Sequence, residues 1–280
     1  MAVILDGKEI ADKITAQIKK EVSLAQKVPT LAVVLVGDNS ASQIYVRNKA
    51  KMAAEIGINS SVINLSADIS QSWLETEIEN LAKNDDIDAI LLQLPLPNGL
   101  DAKKVIEKIP PEKDVDGFHP YNLGRLFSGE KPYAVPCTPA GIMEVLKEYN
   151  ISVDGKNVVI IGRSNIVGKP LSVLMTNANA TVTLCHSKTQ NLKEITKSAD
   201  ILVAAIGNPK FIKAEDIKDG AVVIDVGINR LENGNIVGDV DFETVKEKAS
   251  YITPVPKGIG PMTIAMLMKN TMSLAKQQKL

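Results

Sequence analysis

The apolar positions of this chain change period several times, and each change marks an element. Ile10, Ile14, Ile18 and Val22 recur every fourth residue with Lys and Glu between them, which predicts an amphipathic helix from Gly7 to Lys27, ended by Val28-Pro29. The run Leu31-Ala-Val-Val-Leu-Val-Gly37 is apolar without alternation, the pattern of a buried strand. Helical spacing returns near Asn39 or Ser40 and stops at Gly57, a residue suited to the left-handed turn that closes a helix. Ser61 to Leu65 predicts a short strand, and Ser72-Trp-Leu-Glu75 reads as a capping box opening a helix to about Asn84. Ile87-Asp-Ala-Ile-Leu-Leu-Gln-Leu-Pro-Leu-Pro97 reads as a central parallel strand, interrupted by Gln93 and closed by two prolines. A helix from about Asp101 to Ile109 follows.

Pro110 to Pro120 is irregular and rich in Pro and acidic residues, and Ser128 to Cys137 has the composition of a crossing between domains. Thr138-Pro139 is an N-cap and first-turn pair for a helix to about Tyr149. A second series then begins: strand Asn157 to Ile161, turn Gly162 to Gly168, a helix after Lys169-Pro170, and strands at Thr181 to Leu184, Ile201 to Ile206 and Val222 to Val226. This alternation predicts an α/β chain with a doubly wound parallel sheet. Pro254 to Pro261 is a rigid loop, and residues 262 to 276 form a last amphipathic helix holding Met262, Met266, Met268 and Met272.

Composition narrows the classes. The 280 residues suit one large or two ordinary domains, and a 45% hydrophobic content is ample for their cores. Lys plus Arg (32) nearly balances Asp plus Glu (33), so there is no electrostatic footprint for nucleic acid or an anionic membrane surface. Cys137 and Cys185 form no disulfide framework. Met-Ala-Val-Ile-Leu meets Asp6 at once, too short for a signal segment, and no apolar stretch approaches the ~18 residues of a membrane span. A soluble cytoplasmic protein is expected. His119, between Phe and Pro, has no ligand-type neighbours at metal spacing, so it reads as structural and no metal site is expected.

Four chemical features stand out against this background. Ser42, Tyr45 and Lys49 lie at i, i+3 and i+7, on one helix face, offering a hydroxyl, an aromatic plate and an amine. The same pattern also fits a solvated face whose Tyr packs on a Lys stem. Gln93 falls at the carboxyl end of a parallel strand, where open α/β sheets bind ligands, although a glutamine there also suits loop backbone. Asp114 and Asp116 sit where carboxylates cap turns. The fourth feature is Gly162-Arg-Ser-Asn-Ile-Val-Gly168, placed as a dinucleotide turn but with Ser164 for the second glycine and the last glycine one residue late. Its purpose survives: a tight turn, small residues and a helix N-terminus for an anion. The second strand ends in Cys185-His-Ser-Lys-Thr189 without an acidic residue for the ribose. With Arg163 and Lys188 nearby this favours NADP over NAD, while His186, Ser187 and Thr189 also suit an unphosphorylated ribose.

Five separated segments occur in order from near the first helix to the last: Tyr45-Val-Arg-Asn-Lys49, Gln93-Leu-Pro-Leu-Pro97, Pro111-Glu-Lys-Asp-Val-Asp-Gly117, Gly162 to Pro170 and Gly260-Pro-Met-Thr263. Together they resemble the bifunctional methylenetetrahydrofolate dehydrogenase/methenyltetrahydrofolate cyclohydrolase family. The resemblance implies an N-terminal α/β catalytic domain (residues 1–137 with 262–280) binding tetrahydrofolate derivatives, and a Rossmann-type NADP domain (138–261). It implies a homodimer and a place in one-carbon metabolism and purine biosynthesis. By that resemblance Lys49 is the catalytic amine, Gln93 orients it, Tyr45 stacks on the aminobenzoate ring and Asp116 holds the pterin edge. Ser42, Leu92, Leu94, Pro256, Gly258 and Gly260 complete the substrate contacts. NADP falls to Gly162, Arg163, Ser164, Val167, Gly168, Ser187 and Ile228. One departure stands out: the usual Pro-Gly-Gly-Val-Gly-Pro loop is here Pro256-Lys-Gly-Ile-Gly-Pro261, which puts a cation near the expected folate site. Lys257 there needs either an ordinary backbone conformation or tolerated strain.

Overall fold

The computed structural model describes residues 1–278. In chain order its elements begin β1 (Val3–Ile4), α1 (Gly7–Ser23), β2 (Thr30–Val36), α2 (Ser40–Ile56), β3 (Asn59–Leu65), α3 (Gln71–Lys83), β4 (Ala89–Leu92), α4 (Ala102–Ile106) and α5 (Pro120–Phe127). They continue with α6 (Cys137–Glu148), β5 (Asn157–Ile161), α7 (Gly168–Asn177), β6 (Thr181–Cys185), α8 (Leu192–Lys197), β7 (Ile201–Ala204) and β8 (Val222–Asp225). Last come β9 (Asn229–Arg230), β10 (Ile236–Val237), α9 (Phe242–Val245), β11 (Tyr251–Ile252) and α10 (Ile259–Gln277). The chain forms two compact units. One comprises Met1–Asp12 with Pro136–Met266, and the other Lys13–Val135 with the chain from Leu267 onward.

The first is built on a sheet of order β1-β11-β8-β7-β5-β6, with every neighbouring pair parallel. Strands β5, β7 and β8 are buried along most of their length, as the unbroken apolar runs require. From β5 the chain moves outward to β6, then returns past β5 to β7 and proceeds to β8. The strand order therefore reverses between β5 and β7, which opens a crevice at the carboxyl ends of those two strands. Its core joins Val159, Ile161, Leu202, Ala204, Val223 and Ile252 to the residues beneath α8 and α9.

The other unit holds the parallel sheet β3-β2-β4, and the same reversal occurs in it. Strand β2 leads outward through α2 to β3, and β4 comes back on the opposite side. The switch point lies between β2 and β4. Ala32, Val34, Leu74, Ile78, Ile90 and Leu92 form its core.

Residues 1–12 were expected with the catalytic half but cluster with the six-stranded unit. Strand β1 pairs with β11, Val3 opposite Tyr251 and Ile4 opposite Ile252, and Leu5 is fully buried. Several boundaries also differ from the sequence reading. Ser70, not Ser72, caps α3: its backbone is extended and its hydroxyl accepts the Trp73 N–H at 3.2 Å. Glu75 accepts from Gln71 at 2.6 Å. Helix α6 starts one residue before Thr138, with Pro136 at the cap, and the Thr138 hydroxyl meets that of Thr263 at 2.9 Å. Helix α5 was not read at all. His119 caps it by accepting the Tyr121 N–H at Nδ1 (3.0 Å), the structural role its isolation implied.

Candidate active site

In the three-stranded unit the switch point assembles side chains. Helix α2 starts just beyond the carboxyl end of β2, fixed by Asn39, whose Oδ1 accepts the Ser42 N–H at 3.0 Å. Gly57 closes it in the left-handed conformation at φ 85°. On its face Ser42 is buried and Tyr45 and Lys49 are half-buried. Burial pushes the Tyr45 phenol above its ordinary pKa. Gln93 comes from the next strand over. Val34 pairs with Leu92, and the Gln93 N–H continues the ladder to Val34 O at 2.9 Å. Its side chain is thereby placed beside α2, where Oε1 accepts a hydrogen bond from Lys49 Nζ at 2.9 Å. Gln93 Nε2 donates back to Leu94 O at 2.6 Å, the loop-backbone bond that a glutamine at this position also suits. The backbone bond orients the amide, and the amide holds the amine. Leu92 is buried at the end of β4 and Leu94 is half-buried beyond it.

Asp116 lies half-buried in the segment between α4 and α5. What fixes that segment is Asp114. It is 2% exposed, and its Oδ2 accepts the His119 N–H at 2.8 Å and Asn122 Nδ2 at 2.9 Å. Burial raises the Asp114 pKa against the pull of those bonds. Asn122 in turn donates to Pro111 O and accepts the Tyr133 N–H. Asn270, on α10, donates to Val115 O and Val135 O, both at 2.9 Å.

In the six-stranded unit the switch point is made of backbone. Gly162, after β5, has φ +117°, and a Cβ on it would lie 2.2 Å from Ala205 O, at the end of β7. A Cβ on Gly168 would lie 1.7 Å from Gly162 O. The two glycines are thus in contact across the turn, which no side chain permits. Ser164 braces the turn, its hydroxyl accepting the Val167 N–H at 3.1 Å and its carbonyl the Lys169 N–H at 3.1 Å. Helix α7 opens at Gly168 without a side-chain cap; with the Lys169 N–H on Ser164 O, no N–H on Pro170 and the Leu171 N–H on Val167 O, the donor its first turn can offer an anion is the Gly168 N–H. Arg163 and Ser164 are exposed and Val167 half-buried.

At the end of β6 the turn uses two of the candidate ribose contacts for itself. Thr189 Oγ1 accepts the His186 N–H at 2.9 Å, and His186 Nδ1 accepts the Lys188 N–H at 3.1 Å. Ser187 and Lys188 remain exposed. The cradle and these polar groups fit a dinucleotide with a phosphorylated ribose. Ile228 is 46% exposed after β8, and the Cβ position of Gly260 lies 3.5 Å from its Cδ1. Pro256 is exposed, while Gly258 is buried with its Cβ position 2.4 Å from Pro254 O. Lys257 adopts φ +82°, so the residue is tolerated in a conformation suited to glycine, and its carbonyl accepts the Lys8 N–H at 3.0 Å.

Sequence reasoning missed two buried carboxylates in this unit, Asp225 and Asp239, exposed by 3% and 0%. The available signal was the pair of Asp/Val/Gly triplets, Asp225-Val-Gly227 and Gly238-Asp-Val240.

Residues 5–116 match the family model of the tetrahydrofolate dehydrogenase/cyclohydrolase catalytic domain, and residues 136–279 that of its NAD(P)-binding domain. The bifunctional protein FolD of Campylobacter hominis is 58% identical over 278 residues, which span 98% of each chain. The crystal structure of the bifunctional FolD methylenetetrahydrofolate dehydrogenase/cyclohydrolase from Campylobacter jejuni is similar at a TM-score of 0.97 and 48% identity, covering 99% of this chain and 100% of that one. The Trypanosoma brucei dehydrogenase-cyclohydrolase, solved with NADP cofactor and an inhibitor, gives a TM-score of 0.96 at 39% identity, with coverage of 99% and 98%.

Proposed function

The chain belongs to the tetrahydrofolate dehydrogenase/cyclohydrolase family, and on that premise we propose how its residues divide the work. The enzyme oxidises 5,10-methylenetetrahydrofolate to the 5,10-methenyl form with NADP and hydrolyses the product to 10-formyltetrahydrofolate. The observation behind the residue assignment is the Lys49–Gln93 hydrogen bond at the switch point of the three-stranded sheet.

Lys49 manages the proton of the water that attacks the methenyl carbon, a role that requires its neutral amine. Gln93 takes one N–H of that amine and, itself held by Leu94 O, fixes where the nitrogen points. Tyr45, one turn before Lys49, stacks on the aminobenzoate ring. Asp116 accepts two N–H bonds from the aminopyrimidinone edge of the pterin. Ser42, Leu92 and Leu94 in the same unit, and Pro256, Gly258 and Gly260 on the loop before and into α10, are the further substrate contacts.

NADP, when bound, supplies the hydride acceptor. Gly162 and Gly168 allow its pyrophosphate to approach the backbone, with Arg163, Ser164 and Val167 around it. Ser187 meets the phosphorylated ribose and Ile228 borders the far end. Orientation of the two reacting carbons is the main requirement for hydride transfer, so this unit contributes by binding. The reading extends to a cytoplasmic homodimer whose product feeds purine biosynthesis.

The test follows absorbance of methenyltetrahydrofolate and NADPH with tetrahydrofolate, formaldehyde and NADP. The parent should turn over, and Lys49→Met should lose hydrolysis by roughly 10²-fold or more, the usual worth of a positioned proton-transfer group. Hydrolysis at parental rate in Lys49→Met would remove Lys49 from its assigned role, and a parent inactive with both NADP and NAD would remove the function.

A further inference from the structure

Asp225 and Asp239 belong to none of the roles above, yet their carboxylates accept three and four N–H bonds. Asp225 is the last residue of β8. Its Oδ1 accepts the N–H of Gly227 (3.0 Å) and of Asp239 (2.9 Å), and its Oδ2 the N–H of Val240 (2.9 Å). Asp239, so fixed, reaches the loops on both sides. Its Oδ2 accepts the N–H of Ile206 (2.7 Å) and Gly207 (3.0 Å), and its Oδ1 the N–H of Asn208 (2.9 Å) and Asn229 Nδ2 (2.9 Å). Every one of these partners is an N–H group. A carboxylate is the side chain for this task because it accepts at both oxygens and donates at neither.

Glycine closes the arrangement. A Cβ on Gly227 would fall 2.2 Å from Asp239 Oδ1, and one on Gly238 would fall 1.8 Å from Asp225 Oδ2. Each carboxylate is therefore boxed in by the glycine one or two residues from the other in sequence, which explains the glycine in both Asp-Val-Gly and Gly-Asp-Val.

The segments held are those at the sheet's carboxyl edge. Residues 206–208 follow β7, which borders the switch point, and Asn229, the first residue of β9, follows Ile228 in the connection from β8. Gly162, at the head of the nucleotide turn, abuts Ala205 O, the residue before the held segment. Ile206 and Ile228 stand 36% and 46% exposed on these two loops, although both loops are tied to one buried group.

We propose that Asp239 is the positioning residue of the dinucleotide site: braced by Asp225, it sets the backbone of residues 206–208 and of the Ile228 loop against the Gly162 turn, so that the apolar rim of the site is formed before NADP arrives. Asp239 touches no ligand itself. This inference rests on the NADP-binding reading above.

The test measures NADP binding by calorimetry, together with both activities, in the parent, Asp239→Asn and Asn229→Ala. Asparagine retains one acceptor but turns N–H donors toward N–H donors, so Asp239→Asn should weaken NADP binding about tenfold and raise the dehydrogenase KM for NADP accordingly. Hydrolysis of added methenyltetrahydrofolate, which needs no dinucleotide, should stay within about twofold. Asn229→Ala, which removes a single bond and leaves the buried carboxylate in place, should weaken binding about threefold. Amide exchange at Ile206, Gly207 and Asn208 should accelerate in Asp239→Asn. A folded Asp239→Asn protein that binds NADP like the parent would overturn the inference, as would a parallel fall of both activities. If Asp239→Asn fails to fold, unchanged binding in Asn229→Ala overturns it. A parent that does not bind NADP would instead overturn the functional reading.

Discussion

Lys257 offers the sharpest stability prediction, because it isolates one backbone angle. At φ +82° it pays the steric conflict between Cβ and backbone that an L-residue meets in this region, about 1–2 kcal/mol. Lys257→Gly removes that conflict, while glycine's freer unfolded chain returns roughly 0.5–1 kcal/mol of it. The net expectation is a stabilisation of about 0.5–1 kcal/mol. The carbonyl of residue 257 still accepts the Lys8 N–H, so no hydrogen bond is lost. For a chain of this size that free energy corresponds to a rise of roughly 1–4 °C in Tm. Lys257→Ala keeps the conflict and removes only an exposed charge, so it should match the parent within about 0.5 kcal/mol. Thermal unfolding should be followed by far-ultraviolet circular dichroism. The single tryptophan, Trp73, lies in the other unit and does not report on this loop. A glycine variant less stable than the parent, or an alanine variant raised as much as the glycine one, would refute the reasoning: the first by showing no strain to relieve, the second by tracing the gain to charge.

Two further tests probe the same unit. Gly168→Ala would place its Cβ 1.7 Å from Gly162 O, so the turn must open; NADP binding should fall by at least about tenfold in calorimetry while hydrolysis of methenyltetrahydrofolate persists, and retained binding would discard the close-packed turn. Asp225 has its pKa pushed up to about 7, mainly by burial and in lesser part by Asp239, against three backbone N–H bonds that lower it. Because the folded state holds this proton more tightly than the unfolded chain, its contribution to stability is greatest at low pH. That contribution falls by about 1.4 kcal/mol per unit as pH rises toward 7, about 3 kcal/mol at most between pH 5 and 7, and is flat above. Urea midpoints at pH 5, 7 and 8 should show this fall in the parent and a flatter profile in Asp225→Asn, and identical profiles would remove Asp225 as its source.

What the sequence made legible was chemistry held in single side chains near strand ends. Helical spacing and an interrupted apolar run each left one polar group, Lys49 and Gln93, at a predictable edge, the family resemblance singled them out, and parallel pairing of β2 with β4 then joined them. Long-range pairing was not legible. Strand β1 is two residues long, and nothing local in Val3-Ile4 announces that its partner is Tyr251-Ile252. The nucleotide turn shows a third case. Its glycines miss the formal dinucleotide interval, but the physical demand is contact between Gly162 and Gly168, and the turn brings them together across five intervening residues. The motif records one common solution to that demand. Asp225 and Asp239 each read locally as an ordinary acidic residue beside a glycine, and only the fold shows that each completes the other's hydrogen bonding.

The two sheets use the same topological device in different materials. In the three-stranded sheet the reversal between β2 and β4 is furnished with side chains, so substitutions there alter chemistry while the backbone can stay as it is. In the six-stranded sheet the reversal between β5 and β7 is furnished with backbone, held from behind by buried carboxylates and closed by glycines that admit no Cβ. The same kind of substitution has different consequences in the two places. On the assignment proposed above, replacing Lys49 removes a reacting group, whereas adding one methyl at Gly162 or Gly168 moves main chain and one at Gly227 or Gly238 displaces a buried carboxylate. Loss of hydrolysis with binding intact is thus the expected signature of damage at the first edge. Loss of dinucleotide affinity with hydrolysis intact is the signature at the second, and a variant series that failed to separate the two would count against assigning the steps to different units.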